Sequence, residues 1–362
     1  MKAMLSGPRR HEALFRTLLV LGSILFGLFA LEIGLRLAQG PQWLVHWPNI
    51  VSDQRAGRRA HADARAQPDP MLGFVGVPNY SNSNPDFHYD TQGFRLTPVP
   101  AGVVLKEPPI LAIGGSNTLG EETADEDTYP AQLQRLTGRR VINAGMSAYG
   151  LDQMVLRAEI VARQVKPAVI VVSFGTANLY RNEMHRVWGV EKPYFEQVGG
   201  ELVLRNVPVP PSPDPATTLD FWQRVFGRSL LVDFVLRRTD WQYEWSVDHA
   251  RVLPRGEGTK LSCPLFKRLA GLGLPVLVVT EYDPYWWTDP PYMREQRQLI
   301  DVALLCAKAA GFQTADPFAE IDRTIRAGGR YVYYRQTEHP NPAGHAFYAR
   351  VVADALRRFD NP

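Results

Sequence analysis

Short runs of consecutive apolar residues alternate with longer amphipathic segments from about Met71 to the C-terminus. The apolar runs predict buried strands, and the amphipathic segments predict helices. Continuous apolar strands separated by helices are typical of a parallel sheet covered on both faces. The predicted strands are 109–113, 141–142, 168–173, 275–280 and 311–315, and the predicted helices are 129–137, 151–164, 265–271, 293–310 and 342–359.

One stretch, residues 181–260, interrupts this alternation. It contains PYFEQVGGELVLRNV, in which Gly199 and Gly200 predict the turn of a β-hairpin. After a Pro-rich loop, LDFWQRVFGRSLLVDFVLRR predicts one amphipathic helix. We expect an insertion of this size to shape or cover a binding site.

The N-terminal segment has the pattern of a membrane helix. A basic stretch over 1–16 precedes an apolar helix over 17–37, of which the uncharged part, 17–31, has 15 residues. Because this is short for a membrane span, Glu32 and Arg36 are expected to snorkel to the far interface. A cleaved signal peptide with a small-residue site at 38–40 is the alternative. We favour an uncleaved signal anchor, because two charges interrupt the apolar run just before that site.

The charge distribution predicts how this helix is oriented. By the positive-inside rule, the basic N-terminus stays in the cytoplasm and the chain after Gly40 faces the other side. Residues 38–70 lack apolar periodicity and predict a tether. The main domain is therefore expected to span 71–362.

Charge and cysteine content narrow the function further. The net charge is only +3 and the Lys and Arg residues are scattered, which excludes a basic nucleic-acid surface. Cys263 and Cys306 are too few for a disulfide scaffold, and their spacing fits no zinc pattern. We expect two buried thiols, with one disulfide as the alternative, and no metal or organic cofactor.

The segments that follow the strands carry the candidate chemistry, since parallel sheets bind ligands beyond the carboxyl ends of their strands. GGSNT places Ser116 at the start of a helix, where backbone N–H groups favour negative charge. This environment suits a nucleophilic serine. A phosphate-binding turn or a helix cap would show the same pattern. NAGMSAYG follows the second strand. FGTAN follows the third and offers the Asn178 amide as an oxyanion donor or as a cap.

Two further segments are ambiguous on their own. In HPNPAGH, Asn341 and Pro342 predict a helix start, so His339 precedes the helix and His345 lies in its first turn. Either histidine alone is more simply a structural or solvated residue. EYDPYWWTDPPY follows the fourth strand, and its aromatic side chains predict either a substrate wall or an aromatic minicore. Those candidate residues are Tyr285, Trp286 and Trp287.

These segments together resemble a known family. GGSNT, INAGMSAYG, FGTAN and HPNPAGH follow the order of the sequence blocks of the SGNH (GDSL-type) hydrolase family. The flanks MLGFVGVPNY, YDTQGFR and DTYPAQLQRL resemble membrane-anchored members of bacterial envelopes and exopolysaccharide systems. The resemblance covers about residues 70–362. It implies a three-layer α/β/α, flavodoxin-like sandwich and ester hydrolysis or acyl transfer through a serine.

The resemblance also implies roles for individual residues. Ser116 matches the nucleophile, His339 the general base and Asn178 the oxyanion-hole asparagine. Backbone N–H groups of Ser116 and Ala148 would complete the oxyanion hole. His345 has no catalytic counterpart.

Three positions depart from the family pattern. Gly115 and Leu179 stand where aspartates are common, and Gln336 stands where the triad aspartate precedes the histidine. The last change matters most, because an amide lacks the charge that stabilises the imidazolium.

Three outcomes follow from Gln336. A Ser-His dyad assisted by Gln336 or a backbone carbonyl is the first. Rescue by Glu338, Glu121 or Glu122 is the second, and a domain without catalysis is the third.

We therefore expect a serine esterase or O-acyltransferase acting on ester-linked acyl groups. An envelope or exported polysaccharide is the candidate substrate, and the export machinery is a candidate partner. The expected location is the bacterial inner membrane, single-pass, with a periplasmic domain. The rival hypothesis is a non-catalytic binding or assembly subunit of the same fold.

Overall fold

The five predicted strands form one parallel sheet. In chain order its strands are β1 (Lys106–Gly114), β2 (Arg139–Asn143), β3 (Val169–Phe174), β4 (Val276–Thr280) and β5 (Gln313–Ala315). Their spatial order is β5-β4-β3-β1-β2, the flavodoxin-like order. Gly114 pairs with Ser173, so β1 and β3 end at the same edge. The strand order reverses between these two, and doubly wound folds bind ligands at that switch point.

Two groups of helices cover the sheet. Tyr129–Thr137 packs against Pro342–Asp360, and Ser262–Ala270 packs against Leu151–Val165 and Pro290–Ala309. The strand side chains between them are fully buried, as at Leu111 and Val278. The predicted α/β/α sandwich is confirmed, and each predicted core element lies within a few residues of its expected bounds.

The computed structural model describes residues 7–52, 64–83, 85–187, 190–210, 219–239, 241, 245, 256–329 and 339–360. Gln336 and Glu338 therefore lie outside the described residues. The chain divides into two compact units. The first comprises 1–61 and 213–253, and the second comprises 62–212 and 254–362.

The remaining elements are short. Helices and 3-10 turns occur at Gln42–Val45, Ser116–Leu119, Asp125–Asp127, Thr176–Tyr180, Arg181–Glu183, Glu257–Lys260, Pro284–Trp287 and Phe318–Arg326. Antiparallel pairs are Ala66–Asp69 with Gly73–Gly76, Ser81–Ser83 with Asp86–His88, and Arg186–Val187 with Val190–Glu191. The first of these pairs shortens the predicted tether, because its strand at 66–69 already belongs to the second unit.

The insertion differs in part from its prediction. The hairpin is confirmed, with Tyr194–Val198 paired to Glu201–Arg205. The single amphipathic helix is wrong: the segment forms Phe221–Phe226 and Leu230–Leu236. The break occurs because the Ser229 hydroxyl accepts from the Val232 N–H at 3.1 Å and starts the second helix as an N-cap.

A buried ion pair holds the chain just before the hairpin. The Lys192 ammonium donates to the Asp152 carboxylate, and both side chains are fully buried. The same ammonium donates to the carbonyl oxygens of Arg181 at 3.1 Å and Met184 at 3.2 Å. Asp152 lies in the first turn of Leu151–Val165, so the pair ties the insertion to a helix of the sandwich.

The expectation of two free thiols is wrong. Cys263 and Cys306 form a disulfide, with Cα atoms 4.5 Å apart. It joins Ser262–Ala270 to Pro290–Ala309, two helices that pack together. Their sequence separation of 43 residues gave no indication of this contact.

The N-terminal helix extends over Gly7–Gln39. Its part from His11 to Gln39 is long and apolar enough to cross a membrane. The prediction that Glu32 and Arg36 snorkel is wrong, because these side chains are buried by protein, with 7% and 0% exposure. The groups that bury them come from the first unit itself, residues 43–47 and 228–231.

Candidate active site

Ser116 lies just beyond the carboxyl end of β1, in the first turn of Ser116–Leu119. Two glycines precede it in a turn too tight for side chains. A Cβ on Gly114 would lie 1.9 Å from Thr118 Oγ1, and one on Gly115 would lie 2.8 Å from Asn178 Nδ2. Ser116 is half-buried, and its N–H has no acceptor among the residues that the structure describes. A serine with an available backbone donor thus lies at the switch point.

The Asn178 amide is fixed beside this turn. Its Oδ1 accepts from the Gly175 N–H at 2.8 Å, and its Nδ2 donates to the Tyr149 carbonyl at 2.8 Å. The amide nitrogen has two hydrogens, and Tyr149 takes one of them. The second hydrogen remains available as a donor. It lies next to Gly115, the residue that precedes Ser116.

Ala148 lies in the left-handed region, with φ +65°. A residue with a Cβ costs about 1–2 kcal/mol there relative to glycine. The following residue holds the loop in place, since the Tyr149 hydroxyl donates to the Phe74 carbonyl and the Tyr149 carbonyl accepts from Asn178. The Ala148 N–H has no acceptor within the described part of the chain, so the predicted donor is sterically feasible.

His339 lies in the loop before Pro342–Asp360, whose start Asn341 caps through the Gly344 N–H at 2.9 Å. The His339 Nδ1 lies 3.8 Å from Glu122 Oε2, an ion-pair distance too long for a hydrogen bond. No described residue hydrogen-bonds this buried nitrogen. Thr123 donates its hydroxyl to the Pro340 carbonyl at 3.4 Å. The histidine loop thus contacts the segment that follows the Ser116 helix.

The three acids that could substitute for the triad aspartate differ in their surroundings. Glu338 lies outside the described residues. Glu121 is held by both Nη atoms of Arg65, at 2.7 and 3.0 Å, and by the Ser147 hydroxyl. Glu122 is the acid that faces His339. Its own backbone is left-handed, with φ +61°.

Two buried ionisable residues for which the sequence predicted no role lie near these groups. Glu281 directly follows β4 and accepts from the Asn117 side chain at 2.9 Å. Burial raises the pKa of Glu281 to about 8, so the carboxyl is largely protonated at neutral pH. The Arg181 guanidinium donates to the Tyr149 carbonyl at 3.5 Å, and burial lowers its pKa to about 10. The position of Glu281 directly after β4 was a signal available in the sequence, whereas Arg181 follows the short helix Thr176–Tyr180 and carries no such signal.

The aromatic segment after β4 packs mainly as a minicore. Trp286 is fully buried against Tyr282, with ring centroids 4.8 Å apart. Trp287 stacks on Phe318 at 5.7 Å, and its indole N–H donates to an aspartate. Tyr285 is 49% exposed, which leaves it as the one of the three predicted wall residues able to contact a ligand.

His345 is structural. It is fully buried, and its Nδ1 accepts from the Tyr129 N–H at 3.1 Å. Within the ranges that the structure describes, no three His, Cys, Asp or Glu side chains form a group that could hold a metal ion.

The doubly wound sheet, with a serine, an amide and a glycine-punctuated loop at its switch point, is an α/β fold of the SGNH hydrolase type. The GDSL-like Lipase/Acylhydrolase family matches residues 112–347, well over half of the chain. The chain belongs to this family. No curated protein matches it at a significant level.

Several solved structures are similar to this chain. LAE5, an alpha/beta hydrolase enzyme from the metagenome of Lake Arreo, Spain, is 14% identical, with 70% of this chain and 95% of that chain covered and a TM-score of 0.42. The psychrotrophic esterase EstA from Pseudoalteromonas sp. is 11% identical, with coverages of 71% and 100% and a TM-score of 0.41. A catalytic mutant of Axe2, an acetylxylan esterase from Geobacillus stearothermophilus, is 15% identical, with coverages of 70% and 96% and a TM-score of 0.42.

Proposed function

We propose that this protein is a membrane-anchored, extracytoplasmic serine ester hydrolase or acyltransferase acting on O-acyl groups, with an envelope or exported polysaccharide as the substrate class. The observation that carries the proposal is the approach of His339 Nδ1 to Glu122 Oε2, at 3.8 Å. It supplies the charged partner that Gln336 cannot provide. We assign the remaining roles to Ser116 and Asn178, which follow β1 and β3.

In the proposed reaction, the Ser116 Oγ attacks the acyl carbon while His339 Nε2 takes the hydroxyl proton. The negative charge on the carbonyl oxygen is held by the N–H groups of Ser116 and Ala148 and by the Asn178 amide. The tetrahedral intermediate then expels the alcohol oxygen, which takes the proton from His339. Water hydrolyses the acyl-enzyme with His339 as base, or a sugar hydroxyl replaces the water and the acyl group is transferred.

Glu122 acts in this mechanism on the other side of the imidazole ring. With Nδ1 directed at the Glu122 carboxylate, Nε2 is the nitrogen that exchanges the proton with Ser116. A carboxylate at this position stabilises the imidazolium that forms in the transition state. Since the two side chains are 28% and 39% exposed, solvent weakens the interaction relative to a buried triad.

Two features support the proposed location. The disulfide between Cys263 and Cys306 is typical of proteins outside the reducing cytosol. The burial of Glu32 and Arg36 in the first unit supports retention of the N-terminal helix, because cleavage after residue 40 would remove both side chains from their partners.

The test is direct labelling and turnover by the full-length protein in detergent. We expect a fluorophosphonate to label the wild type but not Ser116→Ala, and we expect p-nitrophenyl acetate hydrolysis to require Ser116 and His339. Ser81→Ala, on an exposed hairpin, is the matched serine control. Equal turnover by wild type and Ser116→Ala, with no specific labelling, would contradict the proposal.

A second pair of variants tests the acid. Glu122→Gln should lower turnover by about 10- to 100-fold, less than the roughly 10,000-fold loss when a buried triad aspartate is amidated. Glu126→Gln, an exposed acid in the same segment, should leave it unchanged. No loss in Glu122→Gln would show that another group orients His339.

The rival function is a non-catalytic binding or assembly subunit, and Gln336 in place of the triad aspartate is the observation that favours it. Retained binding of an acylated polysaccharide by a protein that cannot be labelled at Ser116 would support this alternative. Gln336→Asp separates the two further, since it should raise turnover only if a Ser-His pair is already present.

A further inference from the structure

The end of the N-terminal helix is bonded to the insertion through Glu32. The Glu32 carboxylate accepts from the backbone N–H groups of Leu230 at 3.1 Å and Leu231 at 2.8 Å, and from the Ser229 hydroxyl at 2.9 Å. A carboxylate in this position satisfies donors that the helix Leu230–Leu236 leaves unpaired at its start. The second insertion helix therefore begins against the last two turns of the N-terminal helix.

Arg36, one turn after Glu32, completes this attachment. Its Nε donates to Glu32 at 2.7 Å, its Nη1 to the Trp43 carbonyl at 2.9 Å, and its Nη2 to the Arg228 carbonyl at 2.5 Å. The guanidinium also stacks on the Trp47 ring at 3.4 Å. A fully buried arginine thus connects three chain segments and bonds the insertion to the helix end through charge-assisted hydrogen bonds.

A second set of contacts continues along the chain. The Asn49 side chain donates to the Gln223 carbonyl at 3.0 Å, and the Ile50 N–H donates to the Gly227 carbonyl at 2.7 Å. These bonds hold Phe221–Phe226, the first insertion helix. We refer to Phe221–Phe226 and Leu230–Leu236 together as the collar.

The outer surface of the collar is apolar and rich in aromatic residues. Trp222 is 61% exposed and stacks on Phe226 one turn later, with ring centroids 5.8 Å apart. The other exposed apolar side chains of this surface are Phe221, Val225, Phe234, Val235 and, just beyond the collar, Trp241 at 70% exposure. Exposed apolar patches of this kind mark a surface that contacts a partner or a membrane.

The depth of the collar follows from its attachment. The uncharged stretch 17–31 has a helical length of about 22 Å, against about 30 Å for a bilayer hydrocarbon core. Glu32 and Arg36, the first charges after this stretch, therefore lie at or just inside the far boundary of the hydrocarbon, where their protein partners shield them. Groups bonded directly to these side chains lie at the same level, where tryptophan is enriched in membrane proteins.

We propose that the collar lies in the plane of the membrane interface, with its exposed aromatic side chains inserted among lipid acyl chains. The proposal rests on the membrane anchor of the proposed function. On this proposal, the protein contacts the membrane at two places, through the N-terminal helix and through the collar. Amphipathic helices with aromatic residues on one face and basic residues nearby bind membranes in this way.

The charges of the collar fit a bilayer with anionic headgroups. Three arginines in or beside the collar are exposed: Arg224, Arg228 and Arg238. Asp220 is exposed as well and caps Phe221–Phe226, whereas Asp233 is buried at 3% exposure, so basic side chains outnumber acidic ones on this surface. Arg238 lies over the Phe234 ring at 3.5 Å, so a cation and an apolar ring share one part of the surface. Phosphatidylglycerol offers both the phosphate and the acyl chain that this surface would contact.

The test places fluorescent labels on single cysteines in the full-length protein, reconstituted in vesicles of phosphatidylethanolamine and phosphatidylglycerol. Labelling at Trp222→Cys, Phe234→Cys or Trp241→Cys is done without reductant, because the native cysteines form a disulfide. A lipid spin label near the headgroup should quench these labels several-fold more than a label at Leu136→Cys. Leu136 is the matched control, an apolar residue 56% exposed in the second unit.

A label at Phe26→Cys, within the N-terminal helix, separates failure of the collar from failure of the anchor. Quenching of this label by a spin label at the bilayer centre reports the span itself. If it is quenched while the collar labels respond only to aqueous iodide, the collar proposal is overturned and the anchor stands. If the collar labels are shielded from both iodide and lipid quencher, a protein contact covers this surface and the proposal is equally wrong. No quenching at Phe26→Cys would overturn the membrane anchor, and the collar proposal that rests on it would fail for that reason.

Discussion

Replacing Glu281 with glutamine should change the pH dependence of stability. This carboxyl group is 5% exposed, directly follows β4 and accepts from the Asn117 side chain at 2.9 Å. Burial raises its pKa in the folded protein to about 8 from the usual value of 4.5. Because the folded state holds the proton more tightly, the stabilisation is fully present below about pH 4.5 and is lost as the pH rises through about 8.

The two pKa values, about 8 and 4.5, differ by about 3.5. At about 1.36 kcal/mol for each pH unit, this difference corresponds to at most about 5 kcal/mol of unfolding free energy. Glutamine keeps an oxygen that can accept from Asn117, but its buried amide N–H groups cost about 1–2 kcal/mol if they lack acceptors. Glu281→Gln should therefore be somewhat less stable than wild type at acidic pH and about 3 kcal/mol more stable above pH 8.

Urea unfolding of the full-length protein in detergent, followed by circular dichroism, measures this effect. Wild type should lose stability between about pH 5 and about pH 9, and the variant should lose markedly less. Glu126→Gln, an exposed acid, should behave as wild type does. Parallel stability curves for wild type and Glu281→Gln would refute the reasoning, because Glu281 would then titrate as an exposed carboxyl group.

Three further predictions concern contacts elsewhere in the second unit. Cys306→Ser should lower the unfolding free energy by about 4 kcal/mol, since the disulfide closes a loop of 43 residues, and unfolding with and without reductant measures it. Lys192→Met should cost about 3–5 kcal/mol by leaving the Asp152 carboxylate buried without its cation, and a second change, Asp152→Leu, should recover much of the loss. Gln336→Asp should raise turnover more in a Glu122→Gln background than in wild type, as a kinetic double-mutant cycle would show.

The sandwich could be predicted because its determinants are local. The three central strands, β1, β3 and β4, contain continuous apolar runs, and the helices are bounded by strong signals such as Asn341 followed by Pro342. The carboxyl ends of β1 and β3 also follow from the sequence once the sheet is known to be parallel. Ser116 and Asn178 could therefore be placed near one another before any coordinates.

The remaining features depend on contacts between distant segments. Two cysteines 43 residues apart carry no signal that their helices pack side by side. Glu281 is a single acid after an apolar run, and its perturbed pKa arises only from burial in the folded chain. Glu32 and Arg36 have the expected spacing for snorkelling residues, but their partners lie about 200 positions later, at Ser229 and Arg228.

In the proposed mechanism, Glu122 replaces the usual triad acid and approaches His339 from a different segment of the chain. In the usual arrangement, the acid and the histidine share one loop, and the serine comes from another. Here the acid belongs to the serine's own segment, six residues after Ser116, and Thr123 bonds the same segment to Pro340, next to the histidine. On this proposal, the contact that orients the base is also a contact between the two loops. Gln336 is then compatible with catalysis, because the charge comes from Glu122, a residue with a left-handed backbone.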